Sequence, residues 1–271
     1  MSSPSPNARI VSLAPSATSI LIALGARKQL VGVSKWCLDV APEVTDLPRL
    51  GDCWSIDPES VADLRPTLVI GSVPYKAETV GKLLEHPLTF LAMNPRSLAD
   101  VESDIYLLGG ITGRTASARR LVARMRADFI AIRAKARLAK TKAPISVYCE
   151  AWPNPRIASP PWVAELVEIA GGKMSVPAGK RVSDAEVAAA QPEVIVLAWA
   201  ATGEKSDPQQ TYDLPAFRDV PAVKNHRVHV IRDELLNTPG PPLVEGARQL
   251  FKLIHPELLK SKSHAPDRKR R

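Results

Sequence analysis

Little in this chain can cross-link it or gather a metal. Cys37, Cys53 and Cys149 are its three cysteines, far apart and without a CxxC, which excludes a disulfide-framed scaffold and a paired-cysteine zinc site. No apolar run approaches the ~18 residues that would span a bilayer. Nucleotide and hydrolase signatures are missing too: there is no P-loop, GxGxxG, GxSxG or HExxH. His86, His226, His229, His255 and His264 have no partner at ligand spacing and read as surface or capping groups. His226 and His229, three apart on an expected strand, point to opposite faces. Asp39, Asp52 and Asp57 come without a His, Lys or metal partner and read as turn and capping residues, so no catalytic residue, catalytic cofactor or metal site is expected and the chain does not read as an enzyme. The apolar stretch Ala14 to Ala26 contains Pro15 and a largely polar run from Ser16 to Ser19, with no small-residue cleavage site. It reads as a folded element rather than a secretion leader, which leaves a cytoplasmic location as one expectation.

What is present is the balance of a folded protein: 45% hydrophobic and 24% charged residues over 271 positions, with a mean hydropathy of −0.06. The formal charge of +8 is unevenly placed. Ten Lys/Arg stand against Asp128 between Thr112 and Lys142, and six against Asp267 between Lys260 and Arg271, so the rest of the chain is net acidic. That distribution describes a solvated helix face and a solvated tail, and no specific nucleic acid is expected as a partner.

Strands alternate with helices, the pattern of parallel pairing through crossovers. Arg9 to Leu13 reads as a strand and Thr18 to Leu24 as a helix stopped by Gly25, followed by a strand at Val31–Ser34. Asp57 caps a helix that runs to Leu64 and feeds a strand at Thr67–Ile70; a helix at Ala77–Glu85 then precedes a strand at Thr89–Met93. From Thr115 to about Lys140 there is no Gly or Pro, and Leu121, Met125, Phe129, Ile132 and Ala136 recur at steps of four or three, which predicts one long amphipathic helix. The alternation then restarts with a strand at Pro144–Tyr148, a helix at Pro161–Ala170 closed by Gly171-Gly172, and a strand at Val194–Leu197. The halves echo one another: Glu59 to Pro66 followed by Leu68–Ile70 matches Ala185 to Pro192 followed by Val194–Val196. The expected organisation is an α/β lobe over 1–113, a long connecting helix over 114–142, a second α/β lobe over 143–259 and a basic disordered tail over 260–271. Both lobes carry mostly parallel sheets, with a ligand cleft between them.

Five tryptophans stand out where aromatics total only 5%. Trp36, Trp54, Trp152 and Trp199 follow expected strands or lie in adjoining loops, Trp152 in the loop to Arg156, and such strand ends are where open α/β sheets bind ligands. Trp162 opens a helix and reads as packing. Four aromatics at strand ends suit a large planar or apolar ligand.

These residues carry a resemblance. Arg9 to Ile20, Leu47–Gly51 through Val69-Ile70, Glu150–Arg156 with Trp162–Gly172, and Asn237–Pro242 with Leu253–Pro256 resemble the helical-backbone substrate-binding proteins of ABC importers, most specifically their cobalamin-binding branch. The resemblance implies a non-enzymatic, monomeric protein with limited hinge motion, a corrinoid held by aromatic contacts, an ABC permease as partner and a periplasmic location. A ferric siderophore or haem is the alternative ligand, and corrinoid handling without transport the alternative role. It places Trp36, Trp54 and Trp152 against the ligand and Glu59 at the permease, with Trp199 and Tyr75 as further candidate ligand-binding residues. Its second docking glutamate falls at Ala185, with Glu186 one position later, and Thr238 and Pro242 stand where relatives often carry arginine.

Overall fold

The computed structural model describes residues 8–52, 55–73, 76–139, 141–200 and 206–260; Cys53, Trp54, Tyr75, His264 and the tail from 261 lie outside them. The chain divides into two compact units, Met1–Ala127 with Thr238–Leu243 and Asp128–Asn237 with Val244–Arg271.

The first unit contains strands β1 (Ile10–Ser12), β2 (Leu30–Ser34), β3 (Arg49–Leu50), β4 (Leu68–Ser72) and β5 (Thr89–Met93), with helices α1 (Pro15–Ala23), α2 (Pro58–Ala62), α3 (Ala77–Leu83) and α4 (Leu98–Ile111), and α5 (Thr115–Ala136) as far as Ala127. The sheet is wholly parallel in the order β3-β2-β1-β4-β5. Chain order reverses beside β1, so the crevice at the carboxyl ends of β1 and β4 is the topological switch point. Val11, Leu13, Leu50, Ile56, Val61, Val69 and Leu83 form a core on this sheet. Helix α1 starts at Pro15, earlier than expected, because proline at a first helical position forfeits only an N–H that had no helical partner. Helix α4 is not among the expected elements, although its signals are in the sequence: Ser97 caps Asp100 N–H at 3.1 Å, and Val101, Ile105 and Leu108 form its buried stripe.

The second unit contains β6 (Ile145–Pro153), β7 (Arg156–Ala158), β8 (Gly172–Met174), β9 (Val194–Leu197) and β10 (Val228–Val230), with α6 (Pro161–Ile169), α7 (Asp184–Ala189), α8 (Gln209–Tyr212), α9 (Pro221–Lys224), α10 (Leu243–Ile254) and α11 (Glu257–Lys260). The order is β10-β9-β6-β7, with β8 also on β6; only β7 runs antiparallel. Strand β6 continues five residues past Tyr148 and turns back into β7, so Trp152 lies on a hairpin opposite Ile157 rather than in a loop. Gly172 opens β8 instead of ending α6. Gly171 does the ending, at φ +88, and a Cβ there would come 2.5 Å from Nε2 of His255. His255 is only 1% exposed, so it is a core histidine and not a surface one.

The echo between the halves is structural. Both α2–β4 and α7–β9 pass through a left-handed residue just before proline, Arg65 at φ 47 and Gln191 at φ 46, which stops the helix and aims the chain into a buried strand.

Helix α5 ends at Ala136, short of Lys140, and the boundary between the units falls inside it. Its first half is tied to the first unit, with the Arg126 guanidinium forked on Glu102 of α4 (Nε–Oε1 2.8 Å). Its second half is tied to the second unit, with Arg248 of α10 donating to Asp128 at 2.7 Å. Leu121, Met125, Ile132 and Ala136 are buried as the stripe predicts, whereas Phe129 is half-buried.

Candidate functional site

Trp36 stands in a short 3₁₀ turn, Lys35–Asp39, at the carboxyl end of β2. It is half-buried; its indole N–H donates to Asp52 Oδ2 at 2.8 Å, and the Lys35 ammonium lies 4.6 Å from its ring centroid. Asp52 also accepts from the Ser55 N–H and hydroxyl, so the aspartate that sequence reading assigns to a turn is also what orients the tryptophan. A favourable cation–π contact of this kind leaves a rigid aromatic with a positive charge against its ring.

Beneath Trp36 lies a neutral polar cluster. Thr18 on α1 donates toward Ser12 at 2.8 Å and lies 3.0 Å from the Cys37 sulfur, which is also 3.2 Å from Ser34 Oγ. Ser12 donates to the Ala14 carbonyl at 3.0 Å. All four side chains are fully buried. Burial raises the Cys37 pKa against the opposing hydrogen bonds from Ser34 and Thr18, so the thiol stays protonated and is a poor nucleophile. Cys149 is likewise buried, its pKa pushed up to about 12 by desolvation.

In the second unit the switch point lies between β6 and β9. Trp152, 42% exposed, projects from the β6–β7 hairpin and donates to the Asn154 carbonyl at 2.9 Å. Trp199, just after β9, is different: it is 6% exposed, packs in the core with Tyr148, Val187 and Phe217, and gives its indole N–H to Glu150 Oε1 at 2.8 Å. Its surroundings are those of a core residue, not of a ligand-facing one. Trp162 is also buried, its N–H on the Leu236 carbonyl at 2.8 Å, in line with the packing role expected of it. Trp54 and Tyr75 lie outside the described residues.

Sequence reading passed over the group that holds this edge together. Glu150 is fully buried and accepts from the Tyr148 hydroxyl at 2.7 Å, from Trp199 and from Arg156, whose Nε also donates to Asp184 Oδ1 at 2.8 Å. The Arg156 guanidinium caps the Phe217 ring at 5.1 Å. Desolvation opposes the charge on Arg156, but Glu150 and Asp184 more than offset it and raise its pKa. Burial, then Glu150, raises that of Tyr148. The signal available was a glutamate at the end of the apolar run Ile145 to Cys149, where only a paired carboxylate can be buried.

The two expected docking carboxylates differ. Glu59, in the first turn of α2, is exposed, with His86 Nε2 at 3.5 Å; Asp57 caps that helix by accepting from Glu59 N, Ser60 N and the Ser60 hydroxyl. Glu186 has its Oε2 committed to the Ser183 N–H (2.7 Å) and hydroxyl (2.8 Å) in a capping box, which lowers its pKa. Among the described residues no group of three His, Cys, Asp or Glu is placed to hold a metal, and no helix is long and apolar enough to cross a membrane. Trp36 and Trp152 each bring aromatic surface to a strand end of their own unit.

The sequence profile described as periplasmic binding protein matches residues 10–235. The chain is 29% identical over 263 residues to an uncharacterised ABC transporter substrate-binding lipoprotein of Bacillus subtilis, covering 93% of this chain and 81% of that one. It is 26% identical over 261 residues to a vitamin B12-binding protein of Vibrio cholerae, covering 92% and 90%. Among solved structures, the apo periplasmic haem-binding protein of Roseiflexus superposes with a TM-score of 0.79 at 25% identity, covering 93% of this chain and 99% of that one. The chain belongs to the periplasmic binding protein family of ABC importers, whose members bind solutes and are not enzymes.

Proposed function

We propose that this periplasmic binding protein captures a corrinoid of the cobalamin type and delivers it to an ABC permease outside the cytoplasm. The observation that carries the reading is the exposed, hydrogen-bonded indole of Trp152 on the β6–β7 hairpin at the carboxyl end of β6, matched in the first unit by Trp36 at the end of β2. Similarity to the V. cholerae vitamin B12-binding protein along 92% of the chain supports it. Trp36 and Trp152, joined by Trp54 and Tyr75, supply flat apolar surface to the corrin, each aromatic contact adding about 0.5–1.5 kcal/mol beyond area burial. Trp199 acts behind them through Glu150. No residue of the chain is needed as a metal ligand in this reading; the cobalt arrives already chelated. Glu59 meets basic residues of the permease directly, and Glu186 does so only through the carboxylate oxygen that Ser183 leaves.

Haem is the second reading, favoured by the likeness to the Roseiflexus haem-binding protein. Equilibrium dialysis of the purified protein against cyanocobalamin and, separately, haemin tests both. The proposal expects saturable retention of cyanocobalamin at micromolar concentration. Retention of haemin alone would transfer the reading to haem, and retention of neither at high micromolar would end both.

A further inference from the structure

The ionic group under Trp152 has an extent that ligand binding alone does not require. Arg156 is the first residue of β7 and pairs across the turn with Pro153, next to Trp152. One end of its guanidinium is on Glu150 of β6 and the other on Asp184, the first residue of α7. Its carbonyl accepts from Val182 N–H at 3.1 Å, just before that helix. Its ring contact with Phe217 closes the remaining face. Glu150 is completely buried and has Tyr148 and Trp199 as further donors, so the inner end of this strut is fixed, while Asp184, 45% exposed at its side chain, is the outer end. A planar fork with separated donors can grip two carboxylates at once, which a lysine ammonium does poorly.

We infer that Arg156 is a positioning residue that ties the Trp152 hairpin to the start of α7, so that order at the ligand-facing hairpin and order at the helix bearing Glu186 are coupled. The inference rests on the substrate-binding reading for its purpose but not for its geometry. A ligand that stills the hairpin thereby stills the α7 start, and a cation drawn to α7 competes for Asp184 and loosens the hairpin. The coupling is reciprocal, as linkage requires.

Amide hydrogen exchange followed by mass spectrometry tests it in the full-length protein, first without ligand. Asp184→Asn weakens the outer end only, replacing the charge-assisted contact with a neutral amide oxygen, at a partly exposed site where the fold is expected to survive. The inference expects exchange at least tenfold faster in the β6–β7 hairpin as well as in residues 183–187, with Asp184→Glu restoring both. Arg156→Lys, which keeps the charge but loses the fork, should give the same paired acceleration. Acceleration confined to residues 183–187 in Asp184→Asn, with hairpin exchange unchanged, would overturn the coupling. So would wild-type exchange in Arg156→Lys. The second arm adds saturating cyanocobalamin or haemin: protection should extend from the hairpin into residues 183–187 in the wild type and stop at the hairpin in Asp184→Asn. Failure of both probes to bind would count against the ligand reading, while the ligand-free exchange would still decide on the strut.

Discussion

The two sheets solve the same problem, polar groups at a buried switch point, with opposite chemistry. In the first unit Ser12, Thr18, Ser34 and Cys37 satisfy one another as neutral donors and acceptors. In the second, Glu150, Arg156 and Asp184 do so as ions, with Tyr148 and Trp199 filling the remaining valences. A neutral cluster loses about 1 kcal/mol for each hydrogen bond removed. A buried ion left without its partner costs several times more. The second edge therefore has far more to lose from the removal of one partner than the first, where small hydroxyls and a thiol share several weaker contacts.

The largest effect should come from Glu150→Ala, which takes the shared buried acceptor from Tyr148 and Trp199 and leaves Arg156 with Asp184 as its carboxylate; urea unfolding should show a loss of about 3–5 kcal/mol. The matched change in the first unit, Thr18→Val, keeps the shape and removes one hydroxyl. It should cost about 1 kcal/mol, since Ser12 and Cys37 keep other partners. A loss from Thr18→Val equal to that from Glu150→Ala would erase the distinction.

Asp104 on α4 shows what charge costs in the first unit when no network receives it. One of its carboxylate oxygens is buried without a hydrogen-bond partner, and desolvation, then Asp100, pushes its pKa up to about 6. The folded state therefore holds this proton more tightly than the unfolded chain does. Stability falls as pH rises from the ordinary value of 3.8 through about 6, and stays lower above it. Asp104→Asn should stabilise the protein at pH 8 by about 1 kcal/mol, a figure already reduced for partial exposure, and have no effect at pH 3.5, as thermal melts at the two pH values would show. The smallest effect belongs to the repeated left-handed positions. Arg65→Gly and Gln191→Gly should each stabilise by about 0.5 kcal/mol, because relief of strain slightly exceeds the added entropy of the unfolded chain. Opposite signs for the two would break the equivalence of the α2–β4 and α7–β9 turns.

Local signals carried much of the fold. β5 and β9 lie where apolar runs bounded by turn residues put them, and the Asp57 cap and the repeat before Pro66 and Pro192 fixed two helix-to-strand joints. The hairpin at Trp152 was not legible, because Pro153 and Pro155 read as loop while the pairing of Trp152 with Ile157 depends on a partner strand. Nor was the difference between Trp152 and Trp199: both follow apolar strands, and only the tertiary position of Glu150 decides which indole turns inward. The position of Trp36 after β2 is legible in the sequence, but its orienting partners, Asp52 and Lys35, come from a separate loop and from side-chain direction. The ionic strut spans 28 residues in sequence between Arg156 and Asp184, beyond the reach of any local pattern.

The central proposal is that Trp36 and Trp152, at strand ends of the two units, contact the ligand, and calorimetric titration of the wild type, Trp36→Ala and Trp152→Ala with cyanocobalamin and haemin tests it most directly. The account predicts that whichever ligand the wild type retains is bound about tenfold more weakly by each variant, the loss expected of an aromatic anchor. Unchanged affinity in both variants would contradict it.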